Sequence, residues 1–447
     1  MVIEIFREPK KFNQKEIELK GWVETFRNNK KIGFIELNDG SSVKNIQLVI
    51  KSENENFHLL EQITIGSSLI VKGIIKYTPN MQQEVELEVV ELQILKLAQE
   101  DYPIQKQLMN LETLREIPHV RHRTKYLRSI MLIRSTLAQN IHQYFSSKGF
   151  INVHSPIITS NDGEGAGETF KVSSGTIDNF FGNKKATLGV TGQLHAESYA
   201  LGFSKVYTFA PTFRAENSNT KKHLAEFWMM EPEMAFFNLD ETIALADDML
   251  KNVIKTTLKD RKFEFEYLDQ KVEGKLLQKI NWYLEHDLVK LEYASAIEIL
   301  KQNANRFENN NLYFGVDLAT EHERFICEEV IKGPVAIINY PKQIKAFYMH
   351  QNTDNKTVAA FDLLVPGIGE MIGGSQRECD YNKLLTRINE LGMNKEDLDW
   401  YLNLRRWGDA QSSGFGLGFE RLVMYITGAE NIRDAIPYPR TVNNLRM

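Results

Sequence analysis

Residues 205–237 read KVYTFAPTFRAENSNTKKHLAEFWMMEPEMAFF. Two apolar runs flank a polar loop, Glu216 to His223, whose Asn, Ser, Thr and Lys content predicts a turn between antiparallel strands. Parity sorts the second run. Phe227, Met229, Glu231 and Glu233 face one way; Trp228, Met230, Met234 and Phe236 face the other and make a core face. The first set lines an aromatic ring up with two carboxylates, which is costly unless something binds there. Arg214 closes the first strand. A planar cation beside such a face could hold a phosphate and stack a purine. A surface hairpin with solvated charges is the competing explanation.

Outward from this hairpin, 447 residues leave room for two or three domains. The net charge of −5 argues against a generally basic nucleic-acid-coating protein, though not against a local basic patch. Cys327 and Cys379 form no metal-type cluster and are expected as free thiols in a reducing compartment, with a disulfide as the lesser alternative. The N-terminus lacks a signal-peptide pattern, and no apolar run approaches the roughly 18 residues of a membrane span. The expectation is a soluble, cytoplasmic protein with no membrane partner.

Residues 1–100 suggest five strands: 17–26, 32–38, 43–50, 68–77 and 84–95, with a short helix at 55–62 after the third. Asn38-Asp39-Gly40 is a hairpin signal. Five strands in this order predict an OB-fold barrel, a common oligonucleotide-binding scaffold. On its second and third strands Phe34 could stack on a base and Gln47 could bond a base edge, with Arg27, Lys30 and Lys31 supplying charge. Phe34 in the core and Gln47 merely facing solvent is the alternative. Residues 101–124 read as a linker or hinge.

A long helix then carries Leu127, Ile130, Ile133, Leu137, Ile141 and Phe145 at helical spacing, with Gly149 placed to stop it. A strand follows and meets Pro156. SNDGEGAGETF suggests a mobile acidic loop or a plain surface turn, and TGQLHAES a strand-to-helix junction. Residues 240–304 are mostly helical in pattern, with Leu291–Leu300 as one amphipathic helix. From Gly333 three strands are expected: PVAIINYP, IKAFYMHQ and TVAAFDLLVPGIGEMIGGSQR. In the last, Asp362 and Glu370 would suit Mg²⁺, a hard cation that takes oxygen ligands. Strict alternation sets Glu370 and Arg377 on opposite faces, so either a bulge at Gly373-Gly374 corrects this or the strand is misplaced. In SGFGLGFERLVMYITG the glycines at 414, 416 and 418 would leave one strand face bare for a flat ligand, which Arg421 could cover. Tight sheet packing accounts for such an alternation equally well.

These segments together resemble the three signature motifs of class II aminoacyl-tRNA synthetases. The first is the long helix and strand ending at Pro156, the second FRAENSNTKKHLAEF, the third GLGFER. The N-terminal OB domain is that of the aspartate, asparagine and lysine subgroup. FRAENSNT, EFWMMEPEMAF, GVDLATEHER, IKAFYM, PGIGEMIGGSQRE and RDAIPYPRT are similar to bacterial-type asparaginyl enzymes, and the likeness covers essentially the whole chain.

The resemblance implies an α+β chain: an OB-fold anticodon-binding domain at 1–100, and at 125–447 a catalytic domain of antiparallel sheet flanked by helices. It implies a homodimer joined through Lys125–Pro156, with ATP, Mg²⁺, L-asparagine and tRNA(Asn) as ligands. It implies that Arg214 holds the α-phosphate, Glu216 and Phe227 hold the adenine, His223 lies near the distal phosphates, and Arg421 covers the base beside Gly418. Asp362 and Glu370 would ligate the metal. Glu164, Gln193, Glu231 and Arg377 would line the amino-acid site, with Glu231 on either the side-chain amide or the α-amino group. Arg27, Phe34 and Gln47 would meet the anticodon. The sequence departs from its relatives twice. Aspartyl enzymes carry a lysine where Ala196 stands, and losing that cation favours a neutral amide over a carboxylate. Gln411-Ser412 replaces a usual Pro-His pair, so that histidine's role is absent or filled by another group.

Overall fold

The computed structural model describes residues 2–447 apart from 82, 108, 162–168, 178, 179, 183 and 219. Alternation in the first hundred positions closes a barrel. Its strands are β1 (Glu16–Asn28), β2 (Ile32–Asn38), β3 (Ile46–Lys51), β4 (Ser68–Tyr77) and β5 (Val85–Lys96), ordered β1-β2-β3-β5-β4. Inward residues such as Leu19, Ile35, Leu48, Val71 and Leu87 form one core, joined by Val2 and Ile5 of a short leading helix, Val2–Arg7. The helix expected at 55–62 is a 3₁₀ turn, Phe57–Glu61.

The barrel belongs to a compact unit that runs to Ser135 and also takes in Arg261–Glu273. Those later residues contribute the helix Lys262–Lys271. Its buried Glu264 accepts from Ser42 Oγ at 2.9 Å and Val43 N at 2.8 Å, and Arg261 Nη1 donates to Ser41 O at 3.2 Å.

The second unit, Thr136–Asp260 with Gly274–Leu445, is built on an eight-stranded sheet. Its strands are β6 (Ile151–Asn152), β9 (Lys205–Phe213), β10 (Glu226–Ala235), β11 (Val289–Glu292), β12 (Val335–Pro341), β13 (Thr357–Val365), β14 (Gly369–Gln376) and β15 (Ser412–Gly418). A separate ribbon pairs β7 (Ile158–Thr159) with β8 (Thr187–Leu188). The sheet order is β11-β12-β13-β14-β15-β10-β9-β6; only the β11–β12 and β6–β9 pairings are parallel. The long helix spans Lys125–Ser147, and Gly149 adopts a left-handed φ of +78° just beyond it.

Three strand expectations are corrected. Residues 344–351 are not a strand: a 3₁₀ turn at Lys342–Ile344 leads into irregular chain. The run 357–377 is a hairpin, because Pro366, Gly367 (φ +84°) and Gly369 (φ +88°) turn the chain between β13 and β14. The bulge lies at Met371 rather than at Gly373-Gly374: Leu363 pairs with Ile372 but Leu364 with Glu370. The Leu291–Leu300 helix also starts later. Val289–Glu292 is claimed by parallel pairing with β12, and the helix is Tyr293–Gln302.

Lys279 supplies a test of this packing. Its Nζ donates to Tyr425 O at 2.9 Å and lies 4.5 Å from that ring's centroid. Burial pushes its pKa down to about 8. Between about 8 and 10.5 the unfolded chain therefore binds more protons there than the folded one, so folding strengthens as pH rises through that window. Lys279→Met should raise the urea midpoint at pH 7 and remove this gain; an unchanged pH profile in the variant would count against it.

Candidate active site

Three neighbouring strands share a bare strip. β10 turns Met230 and Met234 into the core, with no exposure, so Phe227, Met229, Glu231 and Glu233 take the opposite face. β15 lies beside it, with Gly418 opposite Met229 and Gly414 opposite Glu233. Gly416 is paired in turn with Gly373 of β14. A Cβ on Gly416 would come 2.9 Å from Met229 Cε, while one on Gly418 would meet nothing nearer than Arg421 Cβ at 3.8 Å. A flat ligand could lie on such a floor.

One end of the strip is acidic. Asp362 is the register partner of Gly373, and the bulge at Met371 brings Glu370 to the same side. A Cβ on Gly373 would lie 2.9 Å from Glu370 Oε1 and 3.4 Å from Asp362 Oδ1, so both oxygens face one spot. Asp362 Oδ2 takes Lys345 Nζ at 2.7 Å, and that ammonium also lies 3.9 Å over the Tyr340 ring. Glu323 Oε2 accepts from Glu370 N at 3.0 Å; burial, then its acidic neighbours Glu370 and Asp362, push its carboxyl up to about 7. Arg421 Nη1 donates to Glu370 O at 2.7 Å and stands 3.4 Å from Glu370 Oε2. Among the described residues no set of three or more His, Cys, Asp or Glu side chains closes around a point. Two oxygen donors facing one spot fit Mg²⁺, which binds through one or two carboxylates and completes its shell with phosphates and water.

Above this end lies the β9–β10 loop. The Arg214 guanidinium carbon is 5.5 Å from the Phe227 ring centroid. His223 Nε2 is 3.9 Å from Glu216, and Nδ1 is 2.6 Å from Thr220 Oγ1. Lys222 Nζ reaches Ile368 O at 3.4 Å; burial, then Arg421, lower its pKa.

The other end is a buried polar set. Glu231 accepts from Thr191 Oγ1 and, at 2.9 Å, from Gly192 N, which pins the start of the helix Gln193–Phe203. Glu233 accepts from Arg377 through Nη2 and, at 3.1 Å, through Nε, and Arg377 Nη1 donates to Ser375 Oγ at 2.7 Å. Burial pushes the Glu233 carboxyl up to about 7 against the pull of Arg377. The Arg377 guanidinium carbon also lies 5.2 Å from the Tyr348 ring centroid.

The residues expected from the sequence thus divide. Glu370 meets Arg421 directly and faces the same spot as Asp362; Arg214 meets Phe227, and Glu216 meets His223. Gln193 and Glu231 are joined through Thr191 and Gly192. Glu164 lies outside the described residues. In the barrel unit, Phe34 is half-buried under Arg27, whose guanidinium carbon is 4.6 Å from the ring centroid, so the alternative of Phe34 in the core does not hold. Gln47 is not solvent-facing either: it is buried, and Nε2 donates to Glu86 Oε1 at 2.5 Å.

Sequence reasoning missed Glu323, Lys345 and Lys222, and it gave Glu233 a place on the face but no partner. For Glu233 parity carried a usable signal, since it shares a face with Glu231. For Glu323 and Lys345 no spacing rule links them to Asp362.

Two family descriptions match the chain: tRNA synthetases class II (D, K and N) over residues 110–442, and an OB-fold nucleic acid binding domain over 17–95. The chain is 61% identical over 438 residues to an asparagine–tRNA ligase of Mycoplasma mobile, covering 98% of each chain. It is 58% identical over 448 residues to that of Mycoplasmopsis pulmonis, covering 100% of this chain and 99% of that one. Among solved structures it is similar to asparaginyl-tRNA synthetase from Pyrococcus horikoshii complexed with asparaginyl-adenylate, at 33% identity, 97% coverage of each chain and a TM-score of 0.87.

The floor itself is testable. A Cβ on Gly414 would sit 2.1 Å from Glu233 Oε1 and 2.5 Å from Pro232 O. Gly414→Ala should therefore lower stability by about 1–3 kcal/mol through overpacking. Chemical denaturation checks this, and a wild-type midpoint would mean the pair can move aside.

Proposed function

Because the chain belongs to the class II tRNA synthetases of the aspartate, lysine and asparagine group, we propose that it joins L-asparagine to tRNA(Asn) in two steps at the glycine floor of its sheet. ATP and asparagine first give asparaginyl-adenylate and pyrophosphate. The terminal ribose hydroxyl of the tRNA then attacks the mixed anhydride and releases AMP. The observation that carries this reading is a continuous sheet face with an Arg- and carboxylate-bearing end and a buried amide- and guanidinium-bearing end, meeting across Gly373, Gly416 and Gly418.

The chemistry needs no protein nucleophile. The asparagine carboxylate attacks the α-phosphorus in line, and the protein contributes position and charge. Arg214 neutralises the α-phosphate oxygens, Phe227 and Arg421 sandwich the adenine over Gly418, Glu216 orients its edge, and His223 meets the distal phosphates. Asp362 and Glu370 would hold Mg²⁺, which would supply charge neutralisation for the phosphates. At the other end Gln193, Glu231 and Arg377 receive the amino acid, with Glu164 as a further contact to it. Arg377 donates to the side-chain carbonyl of asparagine. Ala196, buried beside Ala200 and Val206, supplies no cation for a carboxylate, which favours the amide.

Residues 1–100 read the anticodon through Arg27 and Phe34 and through Gln47, which must leave Glu86 to reach a base; residues 101–124 are the hinge and 125–447 the catalytic domain, except that 125–135 and 261–273 pack with the barrel unit. The protein works as a homodimer through Lys125–Pro156, supported by exposed Ile151 in that segment and by exposed Ile157 and Ile158 directly after it. No helix among the described residues is long and apolar enough to cross a membrane, and both cysteines are free, which suits a cytoplasmic setting.

Amino-acid-dependent ATP–pyrophosphate exchange tests the reading, with asparagine compared against aspartate. Exchange with asparagine alone is expected; equal exchange with both would sink the argument from Ala196. Arg214→Ala should abolish exchange, and near-normal exchange would remove its phosphate role. Gln47→Ala should weaken tRNA charging yet leave exchange intact, and loss of both would take the barrel out of anticodon reading.

A further inference from the structure

At the amino-acid end lies a buried set that the roles above do not use: Glu197, Tyr401 and Arg405. The geometry points to Glu197 as a positioning residue, one that turns the Gln193 amide so that its carbonyl oxygen faces the bound amino acid and accepts one of its N–H groups. This rests on the reading of the site as one that activates asparagine.

Gln193 opens its helix and Glu197 lies one turn further on. Gln193 Nε2 donates to Glu197 Oε2 at 3.2 Å. Glu197 is fully buried. Its Oε2 also takes Tyr401 OH at 2.6 Å, and its Oε1 takes Arg405 Nη2 at 2.5 Å. Arg405 is anchored in turn by Nε on Glu378 O at 2.8 Å. The two ends of an amide look alike, but a carboxylate paired with a guanidinium only accepts. Gln193 must therefore present its NH₂ to Glu197, because the flipped amide would set oxygen against oxygen.

That choice leaves the carbonyl. Gln193 is 5% exposed, and its Oε1 is buried with no hydrogen-bond partner among the described residues. A buried acceptor left unpaired is costly, and native chains keep few of them without a reason. The backbone just before Gln193 is gripped by Glu231, on the face where the amino acid would sit. A bound amino acid carries N–H donors and would satisfy the oxygen. Tyr401 and Arg405 hold Glu197 from chain positions 204 and 208 residues away, so the orientation is set by tertiary packing and not by the helix alone.

The test is steady-state pyrophosphate exchange on the full chain. Glu197→Gln lets the Gln193 amide flip, and should raise the KM for asparagine by about tenfold or more while the KM for ATP stays put. If that variant does not fold, Tyr401→Phe removes one donor from the same oxygen and should raise the asparagine KM several-fold. In a Gln193→Ala background neither change should add further loss. An unchanged asparagine KM in a folded variant overturns the proposal. So does a parallel rise in both KM values, or additive loss in the Gln193→Ala background, either of which marks a merely structural role. Wild-type protein without asparagine-dependent exchange overturns the reading of the site itself, and this proposal with it.

Discussion

The pairing of Arg377 with Glu233 is the constraint on which the sheet's working face depends. Glu233 sits on β10 and Arg377 just beyond β14, with β15 between them. The bond therefore spans a whole strand. It can do so only because Gly414, register partner of both Glu233 and Ser375, has no side chain to stand in the way. Both partners are almost wholly desolvated, and removing one partner of such a pair typically costs about 3–5 kcal/mol, because the other charge is left stranded. One glycine thus couples three strands, and it leaves Arg377 with a fixed orientation beside Tyr348.

At the opposite end the same job is done from a helix. Glu323 accepts from Glu370 N, and Glu328, five residues on in a π-helical segment (Ile326–Ile331), accepts from Gly367 N at 2.7 Å. Glu323 lies in an α-helix, Thr320–Phe325, and Glu328 lies in the π segment that continues it, so carboxylates from one helical stretch grip the same hairpin turn. The two left-handed glycines in that turn admit the grip: a Cβ on Gly369 would lie 2.4 Å from Glu323 Oε2. The acidic end is built by clamping a turn, the buried polar end by bridging over a strand.

What the sequence made legible follows from range. The faces of β10 were readable as far as Met234 because side chains in one strand alternate without reference to anything else; Phe236, expected on the core face, lies past the end of the strand with a φ of +68° and is exposed. The alternate glycines of β15 were readable for the same reason, as was the arginine that follows them. The position of the bulge at Met371 was not, since it exists only in the register between β13 and β14; its effect on parity was, because a bulge at Met371 or at Gly373-Gly374 alike sets Glu370 and Arg377 on one face. Lys345 was taken for a strand residue, although its packing against Tyr340 and Asp362 pulls it out of any ladder. Glu197 and Arg405, 208 residues apart, leave no mark in local pattern at all. In the barrel, the sequence left Phe34 open between an outward and a core position, and the bond from Gln47 to Glu86 depends on a parallel neighbour that strand order alone brings alongside.

The helix Lys262–Lys271 bears on how this protein can change by recombination. It is encoded in the middle of the second unit's sequence, yet it caps the connection between β2 and β3 through Glu264. A gene fragment ending after Ser135 would encode every barrel strand but leave Val43 N and the Ser42 hydroxyl without their carboxylate. Shuffling the barrel onto another enzyme would carry the same defect. The two units are therefore stitched in sequence as well as joined in series, and exchange between lineages should favour the whole chain over its parts.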